Sequence, residues 1–196
     1  MDSNFFALIS RMRYIARWGL MRNALPDNIQ EPSHMVAVLA HALGVIRRDI
    51  FHQPCDVNAL ATAALYHDAS EILTGDLPTP IKYHNAEIMS AYHAVEDLAV
   101  QKLLGMLPPE LRETYADVLA EDKDGDIYPL VKAADKLSAY IKCIEERKAG
   151  NNEFLSAEAQ TRAALEASPL PEVQYFLEHF IPAFERDLDE LGAIGQ

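Results

Sequence analysis

The sequence predicts an all-α protein, a helical bundle of about seven or eight helices in one domain spanning residues 1–196. Three observations carry that expectation. Apolar residues recur at helical spacing almost from end to end. Strand-like alternation is scarce, and no Asn-Gly or Asp-Gly pair joins two β-rich runs. No repeat, low-complexity tract or long linker divides the chain.

Taken in order, residues 4–16 read as a first helix. SHMVAVLAHALGVIRR, residues 33–48, reads as a strongly apolar second one, with Pro32 in its first turn, where a missing N–H costs nothing. Residues 57–73 form a third, with Asp56 as N-cap and Gly75 just past its end. In GDLPTP, residues 75–80, two prolines exclude helix and fix an extended loop. A long amphipathic helix spans 84–105. Pro108 and Pro109 open a shorter one to about residue 120. EDKDGD, residues 121–126, is an acidic loop without the sixth-position glycine or closing Glu of a calcium loop. A long helix over 128–149 stops at Gly150 and Asn151, and 156–167 and 172–191 supply the last two.

Composition excludes several classes. Hydrophobic residues at 49% and charged residues at 24% argue against wholesale disorder. Seventeen Lys and Arg against thirty Asp and Glu leave a net charge of −13. A surface so acidic repels phosphate backbones, so neither a nucleic-acid polymer nor an anionic membrane is an expected partner. No apolar run approaches the ~18 residues of a membrane helix, and the first residues do not read as a secretory signal. The two cysteines, Cys55 and Cys143, form no CxxC, which suits a reducing cytoplasm and carries no metal signal.

The strongest local signal is Tyr66-His67-Asp68-Ala69-Ser70-Glu71 inside an apolar helical stretch. Charged groups in such a setting are costly unless paired or metal-bound. His67 and Glu71, four apart, share one face of a helix. An imidazole beside a carboxylate suits a divalent transition metal, with Glu71 near enough to handle a proton of a bound water. On the dipeptide alone, a satisfied core histidine with surface acids explains the pattern better. Asp135, again a carboxylate in an apolar helical run (LVKAADKLSAYIK), and the adjacent GDLPTP turn shift the balance towards a site. His41, among Ala, Leu and Val, reads as a hydrogen-bonded core residue rather than a ligand. Trp18, the only tryptophan, reads equally well as a stacking surface for a base and as an aromatic core plug.

Taken together, HDASE, TGDLPTP, KAADKLSAYIKC and EERKAGNNEFL, with RW at Arg17 and Trp18, resemble the HD-domain phosphohydrolase superfamily, and within it the bacterial 5'-deoxynucleotidases of the YfbR type. The resemblance runs from Phe5 to about Leu191. It implies an HD-fold homodimer that hydrolyses deoxyribonucleoside 5'-monophosphates with a divalent metal, cobalt, manganese or zinc. It implies His67, Asp68 and Asp135 as metal ligands, Asp68 and Asp135 also touching substrate. Glu71 becomes the catalytic carboxylate, Arg17 the phosphate-orienting and catalytic cation, Trp18 a substrate contact. Asp76, Leu77, Pro78 and Thr79 become the sugar-contacting turn. Asp76 would accept from the 3'-hydroxyl, and the LPT turn would crowd the 2'-carbon. A buried unpaired hydroxyl there costs roughly 1–3 kcal/mol, enough for about tenfold preference for deoxyribose.

One position departs from the family. Where the family reads Glu-His-Ser, this chain reads Glu31-Pro32-Ser33, so a proline stands where the first metal ligand is expected. His34, about 200° further around an ideal helix, is the candidate replacement. Three outcomes stand open: His34 ligates after a local rearrangement, three protein ligands hold the metal more weakly, or the site is impaired. Two competing functions stand beside the monophosphate hydrolase: a hydrolase of deoxynucleoside triphosphates, since related folds take either substrate, and, prompted by Pro32, a nucleotide-binding protein with an impaired metal site.

Overall fold

The computed structural model describes residues 2–82, 84–120 and 125–192, with the side chain of Thr79 left outside; most of the acidic loop read at 121–126 also lies outside the described residues. Helix α1 (Phe5–Ile9) tightens into a 3₁₀ turn, Ser10–Tyr14. An irregular segment, 15–29, leads to α2 (Gln30–Val45), which ends in a π-helical turn, Ile46–Ile50. Then follow α3 (Val57–Tyr66), the short α4 (Glu71–Thr74) and α5 (Thr79–Lys82), and the longer α6 (Ala86–Gly105), α7 (Pro109–Leu119) and α8 (Tyr128–Lys148). A 3₁₀ turn, Asn152–Phe154, opens α9 (Leu155–Glu166), followed by α10 (Pro171–His179), α11 (Ile181–Phe184) and α12 (Leu188–Leu191). Among the described residues the β pairing is one isolated antiparallel bridge, Ala16 with Asn28. None of the described helices is long and apolar enough to cross a membrane.

The fold is built around α2, which packs most extensively on α3 and α8. Their inward faces make the main core, including Val36, Leu43, Leu60, Leu137 and Ile144. Gly44 allows the close approach of α3: a Cβ there would stand 3.0 Å from Leu60 Cδ2. A second apolar cluster joins Phe5, Ala69, Leu103, Leu107 and Leu119. The chain crosses from the first cluster, at Ala64, to the second, at Ala69, through residues 67–70.

Several sequence-level boundaries hold. Asp56 caps α3, accepting from the amides of Asn58 and Ala59 at 3.1 and 2.9 Å. Gly75 ends α4 at φ 75°, a left-handed conformation that glycine adopts without a Cβ clash. Others are corrected. The helix expected over 57–73 is interrupted. The amides of Ala69, Glu71, Ile72 and Leu73 bond to carbonyls three residues back, so the chain is wound more tightly than an α-helix through 67–70 before α4 resumes four-residue bonding at Thr74. His67 and Glu71 therefore do not share one continuous helical face. Burial of Ala69 in the second cluster overrides the helical periodicity. The 75–80 loop is extended only to Pro78, because Pro80 falls in the first turn of α5, where proline is tolerated. The helix expected over 172–191 breaks after His179 and again before Asp187; Pro182, which lacks an amide hydrogen, opens the separate turn α11. Helix α2 begins at Gln30, before Ser33, because the Asn28 side chain accepts from the amides of Gln30 and Glu31. His41 is exposed, not a core residue.

Candidate active site

Four separate elements converge. Arg17 comes from the 15–29 segment, whose base is closed by Arg17 N–H to the Asp27 carbonyl (3.1 Å) and Ile29 N–H to the Ile15 carbonyl (3.0 Å). His67 and Asp68 come from the tight turn after α3, Glu71 from α4 and Asp135 from the middle of α8. His67 Nε2 stands 3.1 Å from Asp68 Oδ2 and 3.8 Å from Asp135 Oδ1. The Arg17 guanidinium faces the same two carboxylates, 4.0 Å from Asp68 and 3.5 Å from Asp135. The His67 side chain is only 2% exposed, Arg17 and Asp68 are mostly buried, and Asp135 opens the cluster to solvent.

The histidine's hydrogen bonding decides what it can do. Its Nδ1 lies 2.7 Å from the Ala64 carbonyl, which can only accept, so Nδ1 carries the hydrogen. Nε2 faces two carboxylates, at 3.1 and 3.8 Å, the position that a proton or a metal ion would hold. A bare lone pair there would be repelled by the anionic oxygens, so the site calls for a cation between them, a proton on Nε2 when no metal is bound. Burial disfavours a protonated ring, but Asp68 and Asp135 outweigh it and raise the pKa of His67 well above the usual histidine range. Burial opposes ionisation of the two aspartates as well, yet His67 and Arg17 hold both below the ordinary carboxylate range. The cluster is a cation receptor.

Glu71 behaves oppositely. Burial, then the charges of Asp68 and Asp76, push its carboxyl up to about 9 despite Arg17 and Lys82, and its Oε2 is buried without a hydrogen-bond partner. It is a proton-holding group beside an anion-lined site. Asp76 is also raised, mainly by burial, while Arg17 and the backbone amide of Trp18 partly offset this.

Of the residues singled out in the sequence, Arg17, His67, Asp68, Glu71 and Asp135 meet, and Asp76 faces them. Trp18 is half-buried with its ring 5.3 Å from that of Phe154, and its backbone adopts φ 56°. Leu77 and Pro78 are half-buried beside Asp76. The side chain of Thr79 lies outside the described residues. His34 is exposed on α2: the helical register that buries Ser33, Val36 and Ala37 turns it outward, and no contact brings it to the other donors. Pro32, in the first turn of α2, offers no donor atom.

Two contributors carried no signal in the sequence. Asp27 lies close enough to Arg17 for the guanidinium to offset part of the rise that burial gives its carboxyl. Lys82, on α5, acts on both Glu71 and Asp76 while its ammonium lies 2.8 Å from Glu96 and 4.5 Å over the Tyr92 ring. Both are juxtaposed by tertiary contacts that no local pattern announces.

Among the described residues no three His, Cys, Asp or Glu side chains stand in a finished metal-holding arrangement. His67, Asp68 and Asp135 come nearest, and the cation now facing the carboxylates is Arg17. The donor set nonetheless fits a divalent metal: one imidazole nitrogen that gives up its proton on metal binding and is oriented from behind by a carbonyl, and two ionised carboxylates.

Comparison with known proteins agrees with this geometry. The family model for YfbR-like 5'-deoxynucleotidases matches residues 4–184. The 5'-deoxynucleotidase YfbR of Shigella boydii is 50% identical over 192 residues, 97% of this chain and 96% of the relative. Its Escherichia coli counterpart is 49% identical over the same shares. An HD-domain phosphohydrolase from Listeria innocua superposes with a TM-score of 0.81 at 25% identity, covering 92% of this chain and 88% of its own. The HD phosphohydrolase of cyanophage S-2L, solved with dA and one catalytic zinc ion, has a TM-score of 0.59 at 25% identity, covering 95% and 97%.

Proposed function

The chain belongs to the YfbR-like 5'-deoxynucleotidase family of HD-domain phosphohydrolases, and on that premise we propose that it is a metal-dependent hydrolase converting deoxyribonucleoside 5'-monophosphates to deoxynucleoside and phosphate. The single observation that carries the reading is the buried His67 Nε2 facing two ionised carboxylates at 3.1 and 3.8 Å, a ready receptor for a cation. The family's activity and the zinc and dA of the cyanophage relative support it.

His67, Asp68 and Asp135 are the proposed ligands. A divalent metal, zinc, cobalt or manganese, supplies charge neutralisation at the phosphate and a more acidic water. Arg17 pairs with phosphate oxygens through its planar fork and exchanges its present carboxylate partners for the substrate. Glu71, which keeps its proton near neutrality, gives it to the 5'-oxygen as the P–O5' bond breaks. The water oxygen bonds to phosphorus, and Glu71 recovers a proton from it, so the acid is regenerated. Trp18 stacks on base or sugar, Asp76 accepts from the 3'-hydroxyl, and Leu77 and Pro78 close the space at the 2'-carbon.

The whole chain is read as one HD domain. Two unpaired thiols, Cys55 and Cys143, support a reducing cytoplasmic setting. Exposed Met35, Val38 and Leu65 on α2 and α3 support a homodimer.

The test is phosphate release from dAMP, AMP and dATP with cobalt, manganese, zinc or magnesium, alongside metal analysis of the purified protein. Phosphate from dAMP faster than from AMP is expected. Triphosphate released from dATP instead would select the triphosphate hydrolase. Pro32 favours a second reading, nucleotide binding at an impaired metal site, for which dAMP binds but is never hydrolysed with any of the four metals.

A further inference from the structure

The 15–29 segment has no helix or sheet of its own to fix it, yet it presents Arg17 and Trp18 to the site. Its base is closed by backbone bonds, whereas its tip is tied to the far end of α8 by side chains. Glu146, 2% exposed, accepts from the Ala24 amide at 2.8 Å, from Asn151 Nδ2 at 2.7 Å and from Lys142 Nζ at 2.6 Å. The same Asn151 amide donates to the Arg22 carbonyl at 2.7 Å, and Lys142 Nζ donates to the Leu25 carbonyl at 3.3 Å. Glu153, whose amide the Asn151 oxygen caps at 3.2 Å, accepts from the Arg22 amide at 3.2 Å. Phe154 packs on Trp18 at 5.3 Å. Gly150, at φ 83°, reverses the chain after α8 and brings Asn151 back against Glu146.

Asn151 thus uses both amide hydrogens and its oxygen at one point, joining the α8 terminus, the 3₁₀ turn Asn152–Phe154 and the segment 22–24. A mere helix stop needs none of the first two bonds. The energetic case for holding this segment is local. Trp18 has a positive φ, which a non-glycine residue keeps only when its surroundings over-determine it.

We infer that Glu146 and Asn151 are positioning residues for substrate: they lock the Arg17–Trp18 segment in its binding conformation and act on nucleotide affinity, not on the chemical step. This rests on the proposed function, in which Arg17 and Trp18 contact the nucleotide.

The sole tryptophan gives a readout that needs no turnover. In Asn151→Ala, and in the isosteric Asn151→Asp, which loses both donated bonds, Trp18 emission should shift to the red and acrylamide quenching should rise, with far-UV circular dichroism and metal content unchanged. The KM for dAMP should rise about tenfold while kcat stays within about threefold. Wild-type KM and wild-type Trp18 emission in a folded Asn151→Asp variant overturn the inference. So does an equal fall in kcat without a rise in KM. Should Asn151→Asp not fold, Asn151→Ala carries the same readouts. Absence of dAMP hydrolysis by the wild type itself defeats the proposed function, whereas the Trp18 measurements still decide the node.

Discussion

Glu71 and Glu146 are both buried glutamates, and the fold treats them in opposite ways. Glu146 sits among donors. Burial works against its charge, but Lys142, the Ala24 amide and Asn151 overcome it and hold its carboxyl down to about 2. Glu71 sits among acids. Burial, Asp68 and Asp76 hold its carboxyl up to about 9, and one of its oxygens bonds to nothing. One carboxylate is a structural anion with its hydrogen bonds met; the other is a stored proton beside a cluster of acids. A buried acid marks chemistry when its neighbours oppose its charge, and architecture when they satisfy it.

That contrast can be broken by substitution. The largest effect is expected for Glu71→Gln, which keeps shape and burial but removes the transferable proton. Its kcat for dAMP should fall by about 10²–10⁴-fold with metal content unchanged; wild-type turnover would show that Glu71 has no proton role. Next comes Glu146→Gln. Exchange of a charged acceptor for an amide leaves Lys142 and one donor poorly matched, and should cost about 1–3 kcal/mol in urea unfolding. A neutral result would mean that the node contributes little to stability.

The pH dependences should run in opposite senses. Because the folded pKa of Glu146 lies below its unfolded value, its stabilisation is complete above the ordinary glutamate range and is lost as pH falls towards about 2. The difference in stability between wild type and Glu146→Gln should therefore shrink on acidification. The folded pKa of Glu71 is raised, so it favours the folded state fully only below the ordinary range, and this is lost as pH rises through about 9. Metal-free Glu71→Gln should then gain on wild type in melting temperature as pH climbs from 5 to 9. Parallel pH profiles for the two variants would erase the distinction. The smallest effect is on binding common to both sugars: Asp76→Ala should lose about 1–2 kcal/mol of binding to the 3'-hydroxyl, raising KM for dAMP and AMP alike.

Position 32 lies on the metal side of the same site by family motif. Pro32→His adds the donor that the family motif carries at this place. It should tighten zinc or cobalt binding, measured by competition with a chromogenic chelator; unchanged affinity would mean that position 32 does not face the cation.

Much of this was legible residue by residue. The helical period, the Asp56 cap, the Gly75 stop and the carboxylates within apolar runs all express local chemistry, and motif resemblance singled out Arg17, His67, Asp68, Glu71 and Asp135 before any fold was known. Other features were not legible. The 57–73 run looks helical because its apolar spacing suits a helix, yet the structure tightens it at 67–70, where Ala69 enters a second apolar cluster. His34 looked like a spare ligand until the register of α2 turned it outward. Lys82 and Asn151 gave no sign of reaching Glu71 or Arg22, because their partners lie 11 residues away in the first case and 129 in the second.

Read alone, the amino-acid order determined the all-α class, the family motifs and the residue types available for cation and phosphate binding, since helix propensity, capping and motif spacing act over a few residues. The tertiary fold alone decided which acids keep a proton, which become anions and which nitrogen of His67 faces them, because desolvation and charge–charge interaction depend on distances between helices far apart in the chain.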